Sequence, residues 1–195
     1  MQSPNLRLID VVRAADKFLK TYHPALSLPI PIEDIVERKM DIALFAVPGI
    51  KSLIGVDAFI SSDFTQITID EVCFVRYPER TRFSIAHEIG HLILHKDWYE
   101  KYGPTNLEDY LSSHDRVDGQ IYKYIEIQAH TFAGLVLVPK ELLLGELEKR
   151  LGRIPSMEPP EVLAPFIQDL PEIFRVSDAV ILRRLQKENI IKLNS

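Results

Sequence analysis

The chain has 195 residues, of which 46% are hydrophobic and 26% are charged. These values are ordinary for one sizeable globular domain, or a domain with a small appendage, and they exclude the disordered class of protein. The formal net charge of -5 argues against broad electrostatic attraction to nucleic acid or to an anionic membrane.

The N-terminal stretch lacks the features of a signal peptide, because Arg7, Asp10 and Arg13 interrupt its apolar residues. No apolar run approaches the roughly 18 residues that are needed to span a bilayer. Cys73 is the only cysteine, which excludes an internal disulfide and a cysteine-based zinc finger. We therefore expect a cytoplasmic protein that does not bind membranes.

The first seventy residues predict a framework of helices followed by strands. Leu6 to Tyr22 has apolar residues at a helical period, and a short helix is expected from Ile32 to Met40. Three short runs rich in Ile, Val and Phe follow: Asp41 to Val47, Leu53 to Ile60 and Gln66 to Asp70. They predict a small, mainly antiparallel sheet, whose edge either pairs with an extended peptide or only covers the helices.

The next segment carries the pattern that points to chemistry, because His87, Glu88 and His91 form His-Glu-x-x-His. Four residues of helix advance the chain by about 6 Å and turn it by about 40°, so the two histidines project from one face. Two imidazoles placed in this way can share a metal ion, with Glu88 close enough to act on a water beside it. The alternative is a buried helix with two incidental histidines; Pro78, suited to a first helical position, favours the metal site.

Lys96 to Gln120 loses this periodicity and collects turn residues, which predicts a long loop that acts as a lid or a substrate rim. Aromatic residues such as Trp98 and Tyr99 could line the site or anchor the loop to the core. His114 is expected to be a surface histidine.

Ile121 to Val138 returns to a helical pattern and contains Glu126. Ala129 and Ala133 lie on the same face of this helix, and Gly90 on the motif helix would allow the two helices to approach closely. A glutamate oxygen must lie about 2.0 to 2.2 Å from zinc, so close approach favours Glu126 as the third ligand. The alternative is a solvated glutamate.

Beyond this helix, Leu142 to Leu151 predicts another amphipathic helix, and Pro155 to Pro160 a linker or an irregular cover. Ser177 is expected to cap a helix that runs to about Glu188. Together with the residues from Pro171 onward this resembles helix-turn-helix geometry, a shape that is also common where helices only pack.

Two segments resemble the signature segments of the ImmA/IrrE metallopeptidases. They are residues 81–95, Thr-Arg-Phe-Ser-Ile-Ala-His-Glu-Ile-Gly-His-Leu-Ile-Leu-His, and residues 126–139, Glu-Ile-Gln-Ala-His-Thr-Phe-Ala-Gly-Leu-Val-Leu-Val-Pro. Phe174-Arg175-Val176-Ser177, with Arg184-Leu185 and Ile190-Ile191, is similar to the closing segment of that family. The resemblance covers roughly residues 40–140 and the C-terminus.

The resemblance implies an α+β fold with a zincin-like core, in which His87, His91 and Glu126 bind Zn²⁺, with Mn²⁺ as the alternative, and Glu88 is the catalytic base. We divide the chain into a zincin-like metallopeptidase domain, residues 1–155, and a C-terminal helical segment, residues 156–195, packed on the same domain. The resemblance also implies a cytoplasmic endopeptidase that cuts a specific protein, a helix-turn-helix transcriptional repressor, in a phage, mobile-element or stress-response setting.

Two further histidines need separate interpretations. His130 stands where the family has Asn or Asp, and it either orients a ligand or faces the loop. His95 would lie about 12 Å beyond His87 on a continuous helix, too far to share the metal, so we expect it to cap the helix or to pack. Four residues are candidates for stabilising the oxyanion of a peptidase reaction: Tyr122, Tyr124, His114 and His130.

Two other functions compete with the endopeptidase. One is a DNA-binding regulator that works through residues 171–191, with a structural metal; the net charge of -5 and an otherwise unnecessary Glu88 count against it, so we do not expect direct nucleic-acid binding. The other is a zincin-like scaffold that binds a partner without cutting it, because retained ligands do not prove turnover.

Overall fold

The computed structural model of the chain describes residues 6–113, 119–153 and 155–191. Most of these residues are helical. The helices are α1 (Leu8–Tyr22), α2 (Ile32–Asp34) continuing into a π-helical turn (Ile35–Lys39), α3 (Ile50–Ile54), α4 (Glu71–Arg76), α5 (Pro78–Tyr102), α6 (Leu107–Ser113), α7 (Gly119–Leu137), α8 (Lys140–Leu151), α9 (Pro160–Ile167), α10 (Leu170–Phe174) and α11 (Asp178–Lys187). None of the described helices is both long and apolar enough to cross a membrane.

A small sheet accompanies the helices, so the predicted α+β class is confirmed. Its strands are β1 (Ala43–Val47), β2 (Ala58–Ile60) and β3 (Gln66–Asp70), in the order β1-β3-β2. Only β2 and β3 pair in the antiparallel sense, whereas β1 and β3 run parallel. The sheet is therefore mixed rather than mainly antiparallel.

The parallel pair depends on a helical turn that the strand prediction for Leu53 to Ile60 overlooked. Parallel neighbours need a crossover connection, and α3 together with β2 provides it between β1 and β3. Gly49 and Gly55 flank α3 with φ of 76° and 79°, a left-handed conformation that glycine adopts without steric cost. The strand that follows is consequently only three residues long.

The two long helices α5 and α7 cross in direct contact. A Cβ atom added at Gly90 would lie 3.0 Å from the Cα of Ala129, so the absence of a side chain is what permits this approach. On the other side of α7, Phe18 of α1 meets Phe132 edge to face, with ring centroids 5.7 Å apart. The core thus holds α7 between α1 and α5.

The prediction of a long loop from Lys96 to Gln120 was wrong for the described part of this segment, and residues 114–118 lie outside the described residues. α5 continues to Tyr102 through a single residue with non-helical dihedrals, His95, and α6 follows. Trp98 and Tyr99 are 7% and 6% exposed, so these two aromatics anchor the segment to the core. The helical period was present in the sequence, but His95, Trp98, Tyr99 and Tyr102 carry it in place of aliphatic residues.

The C-terminal helices contact the same core through buried arginines. Arg184, which is 5% exposed, donates a hydrogen bond of 3.0 Å from Nε to the carbonyl of Val138. Arg82 of α5 donates one of 3.1 Å to the carbonyl of Arg175, at the end of α10. α11 begins after Ser177 as predicted, although the Ser177 side chain makes no capping hydrogen bond.

Candidate metal centre

Three side chains from α5 and α7 converge on one point. His87 and His91 lie one turn apart on α5, with their Nε2 atoms 3.2 Å from each other. From α7, the two carboxylate oxygens of Glu126 lie 3.1 Å from His87 Nε2 and 3.2 Å from His91 Nε2. The helix crossing at Gly90 brings the carboxylate within this range.

The spacing fits a divalent metal ion. Ligand atoms arranged tetrahedrally at about 2.0 to 2.1 Å from a metal lie about 3.3 to 3.4 Å from one another, close to the separations of these three groups. Two imidazoles and one carboxylate also form the ligand set of many catalytic zinc sites, which keep a fourth position open. The residues present therefore suit a metal with room for a substrate.

The protonation states of two of these groups suit metal binding. Burial alone would raise the pKa of Glu126, but the contacts with the imidazoles of His87 and His91 outweigh it and hold this pKa well below its usual range. Burial lowers the pKa of His91, which favours the neutral imidazole. An ionised carboxylate and a neutral imidazole are the forms that bind metal.

Glu88 lies beside the three groups and is supported by the sheet. It is 5% exposed, and its Oε2 accepts a hydrogen bond of 3.0 Å from the backbone amide of Ile60 in β2. Burial raises the pKa of Glu88 to about 8, and the charge of Glu126 adds to the rise. A carboxyl group with such a pKa can exchange a proton near neutral pH. No sequence pattern indicated the support from Ile60.

All four groups line one cavity of about 340 Å³. Among the candidates for the oxyanion, Tyr122 and His130 line this cavity too. Tyr124 does not, since its hydroxyl donates a hydrogen bond of 2.9 Å to the carbonyl of Leu6. His114 lies outside the described residues.

Two tyrosines of the segment that was expected to form a lid or a substrate rim, Tyr99 and Tyr110, also line the cavity. The ring of Tyr99 lies against that of His91, with centroids 4.8 Å apart and planes at 31°. The Tyr110 side chain is hydrogen-bonded to that of Tyr122. Both tyrosines belong to the segment that had been interpreted as a loop with aromatics that line the site or anchor it to the core, and these two buried side chains do both.

His130 connects the site to the C-terminal helices. Its ring lies edge-on to Phe83, with centroids 4.7 Å apart, and 6.4 Å from the ring of His87. Arg183 of α11 donates a hydrogen bond of 2.9 Å to His130 Nε2. Burial lowers the pKa of His130, and the positive charge of Arg183 lowers it further. The described contacts of His130 are therefore with α5 and α11.

His95 does not cap a helix, because α5 continues beyond it to Tyr102. It packs, as the other interpretation expected, and is 2% exposed. Its Nδ1 lies 3.3 Å from Nδ1 of His91, on the side of that ring away from Glu126. Its Nε2 lies 2.8 Å from Oε1 of Gln128, and burial lowers the pKa of His95 to about 4.

A second, larger cavity of about 830 Å³ is lined by residues of α1, α5, α7 and α11. It shares His87, Glu126 and His130 with the smaller cavity, so the two form one continuous depression. Leu8 and Ile127 line it and are 58% and 54% exposed. The converging groups thus open onto a groove with apolar walls.

Comparison with known proteins gives a family and a fold. The family model described as the IrrE N-terminal-like domain, Peptidase M78, matches residues 76–186, more than half of the chain. No curated protein matches the chain. Among solved structures, a Mycobacterium tuberculosis transcriptional regulator is similar with a TM-score of 0.54 and 18% identity, over 94% of this chain and 48% of that chain. At this identity the likeness shows the fold alone, and the chain spans about half the length of that protein.

Proposed function

The chain belongs to the peptidase family of the IrrE N-terminal-like domain, and from this premise we propose that it is a metal-dependent endopeptidase. The observation that carries the proposal is the convergence of His87, His91 and Glu126, with separations of 3.1 to 3.2 Å. The buried Glu88 lines the same cavity. A structural metal would need neither this carboxyl group nor an open cavity.

In the proposed mechanism His87, His91 and Glu126 hold the metal, which we expect to be Zn²⁺, with Mn²⁺ as the alternative. Such an ion supplies a Lewis acid that lowers the pKa of a water molecule and polarises a peptide carbonyl. Glu88, oriented by the amide of Ile60, accepts the proton of the attacking water and then transfers it to the leaving amine. The protein's part is therefore orientation and proton transfer.

We propose Tyr122 as the group that stabilises the oxyanion. It lines the cavity with Glu88 and the three candidate ligands. Burial raises the pKa of Tyr122 far above neutral, so its hydroxyl keeps a proton, which it would redirect from the Tyr110 side chain to the oxyanion. His130 also lines the cavity, but its Nε2 already accepts a hydrogen bond from Arg183.

The groove supports a protein substrate. A cavity of about 830 Å³ with exposed apolar side chains suits a stretch of several residues better than a free amino acid. The family resemblance suggests a helix-turn-helix repressor as the substrate. The similar mycobacterial protein is named a transcriptional regulator, which is compatible with a role in gene regulation.

The DNA-binding alternative loses support from the contacts of α11. Of its three basic residues, Arg184 is buried and paired with Glu188 at 2.7 Å, and Arg183 is bonded to His130. Of these three residues, only Lys187 could bind a phosphate without first breaking such a contact. The scaffold alternative differs from the endopeptidase only in turnover.

The test of the proposed function is metal-dependent cleavage of a repressor encoded beside this gene. We expect the zinc- or manganese-loaded protein to cut it at one position. A chelator should stop the cleavage, and one equivalent of metal should restore it. Cleavage that persists unchanged in the metal-free protein would refute the proposal, and metal binding without any cleavage would favour the scaffold.

A further inference from the structure

A chain of polar groups runs from the candidate metal centre to the backbone before α1. His91 Nδ1 lies 3.3 Å from His95 Nδ1, and His95 Nε2 lies 2.8 Å from Gln128 Oε1. Gln128 Nε2 in turn lies 2.8 Å from the carbonyl oxygen of Leu6. The three side chains are 2%, 2% and 5% exposed, so water does not compete for these bonds.

The carbonyl of Leu6 fixes the direction of the whole chain. A backbone carbonyl can only accept, so the Gln128 amide nitrogen must face it and donate. The Gln128 oxygen then faces His95 Nε2, which must carry a proton. A neutral His95 consequently has an unprotonated Nδ1, and this atom can only accept a hydrogen bond, which His91 Nδ1–H donates.

The last hydrogen bond of this chain gives His91 the tautomer that a metal ligand needs. With its proton on Nδ1, His91 presents the lone pair of Nε2 to the point that it shares with His87 and Glu126. A ligating imidazole is held in this way by the partner of its second nitrogen. The break in α5 at His95 places that imidazole between His91 and α7.

We propose that His95 and Gln128 are positioning residues that fix the tautomer and the ring orientation of His91 through a directed relay from the carbonyl of Leu6. The proposal rests on the metal site of the proposed function. It assigns a role in metal affinity to the contact between His95 of α5 and Gln128 of α7. It also makes the backbone at Leu6 part of the support of that site.

The first test measures metal affinity in variants of Gln128. Gln128→Leu removes the acceptor for His95 and the donor for Leu6, and we expect it to weaken Zn²⁺ or Co²⁺ binding about 10- to 100-fold. Gln128→Glu keeps the acceptor for His95 but loses the donor to the Leu6 carbonyl, so it should weaken metal binding less than Gln128→Leu does. The absorption bands of bound Co²⁺ should shift most in the leucine variant.

A second pair of variants separates the relay from the loss of any buried histidine. His95→Leu should weaken metal binding in the same range. His23→Leu is the matched control, because His23 is a buried histidine at the end of α1 that takes no part in the chain of polar groups. It is 8% exposed, and its Nε2 is hydrogen-bonded to the carbonyl of Ser27. We expect the control to bind metal like the wild type.

The tautomer of His95 can be read without any variant. In the zinc-loaded wild-type protein, nitrogen chemical shifts should show His95 protonated at Nε2 and unprotonated at Nδ1. The reverse tautomer would overturn the relay even if the substituted proteins fail to fold.

The outcomes distinguish this inference from the function on which it rests. A wild-type protein that binds no divalent metal would overturn both. Normal metal binding by the wild type, unchanged in Gln128→Leu and His95→Leu, would overturn the relay alone.

Discussion

Gly90 and Ala129 bring the helix with the two histidines against the helix with Glu126. A Cβ at Gly90 would lie 3.0 Å from the Cα and 3.1 Å from the carbonyl oxygen of Ala129, and neither backbone atom can move aside as a side chain would. The contact therefore sets the distance between α5 and α7, and with it the distance from Glu126 to the histidines.

The first prediction follows from this contact. Gly90→Ala gains up to about 1 kcal/mol of helix propensity, but overpacking of a tight contact costs about 1 to 3 kcal/mol. We expect a net loss of stability and a weaker metal affinity, because the helices must separate. Thermal unfolding and metal titration measure the two effects.

The control for this substitution is Gly145 in α8, where an added Cβ meets nothing within 4 Å. Gly145→Ala should raise stability by up to about 1 kcal/mol and leave metal binding unchanged. If Gly90→Ala behaved in the same way, the close contact would have no energetic role.

The second prediction concerns the ligand set. The purified protein should hold about one divalent metal per chain, and both His91→Ala and Glu126→Ala should lose most of it. His130→Ala should retain more metal than Glu126→Ala, because the described contacts of His130 are with Phe83, His87 and Arg183 rather than with the ligating position. Metal analysis after gel filtration decides this, and wild-type metal content in His91→Ala would refute the assignment.

The local part of this site could be predicted from the sequence, whereas the rest depends on how distant elements cross. His87 and His91 are four residues apart, so helix geometry alone puts them on one face. Glu126 is on another helix, and only the small residues on the facing surfaces pointed to it. The amide of Ile60 and the amide of Gln128 left no sequence signal, because their roles depend on tertiary contacts.

The fold shows the same division. α1 and the beginning of α5 follow an aliphatic period and were predicted, while the second half of α5 was interpreted as a loop because aromatic residues carry its period. The prediction of how the strands pair was also partly wrong, because an element between them was not recognised. Three short apolar runs do not reveal that Gly49 and Gly55 enclose a helical turn, which allows β1 to run parallel to β3.

The third prediction concerns acid stability at the C-terminal helices. Burial of Glu188 would raise its pKa, but the cations of Lys140 and Arg184 outweigh this and lower it. A depressed pKa in the folded protein gives stability that is present above the unfolded value, about 4.3, and is lost as the pH falls through the folded pKa. Glu188→Gln should therefore lower the melting temperature at neutral pH and flatten its decline below about pH 4.3.

The matched control is Glu100→Gln, since Glu100 is half exposed and pairs only with Lys96 at 3.7 Å among its described contacts. Its melting temperature should follow the wild type at every pH. An equally steep acid decline in Glu188→Gln and the wild type would show that Glu188 is not ionised in a stabilising pair.

The fourth prediction is that residues 171–191 do not hold DNA on their own. Arg184 is 5% exposed and bonded to Val138, so it cannot reach a phosphate while α11 stays packed. Titration of the full chain against duplex DNA at moderate salt should show only weak, sequence-independent binding. Tight and sequence-selective binding would restore the regulator hypothesis.

The last prediction concerns Glu88, which separates an enzyme from a metal-stabilised scaffold. Gln is nearly isosteric with Glu and can still accept the hydrogen bond from the amide of Ile60, but it cannot take a proton from water. Cleavage of the repressor should therefore fall by at least about 10²-fold in Glu88→Gln. Metal content should stay near that of the wild type, because Glu88 is not one of the three converging groups. The melting temperature should not fall, since a buried carboxylate is replaced by a neutral amide of the same shape.

The comparison needs the wild type, Glu88→Gln and Glu100→Gln, all loaded with the same metal and assayed on the same repressor. Glu100 lies on the same helix but is half exposed, so Glu100→Gln controls for replacing a glutamate of α5 away from the cavity that Glu88 lines. Equal cleavage by the wild type and Glu88→Gln would remove Glu88 from the mechanism and point to a contaminating protease or to a different site. Loss of metal together with activity would instead mean that Glu88 supports the binding of the ion, so that the variant could no longer isolate the proton-transfer step.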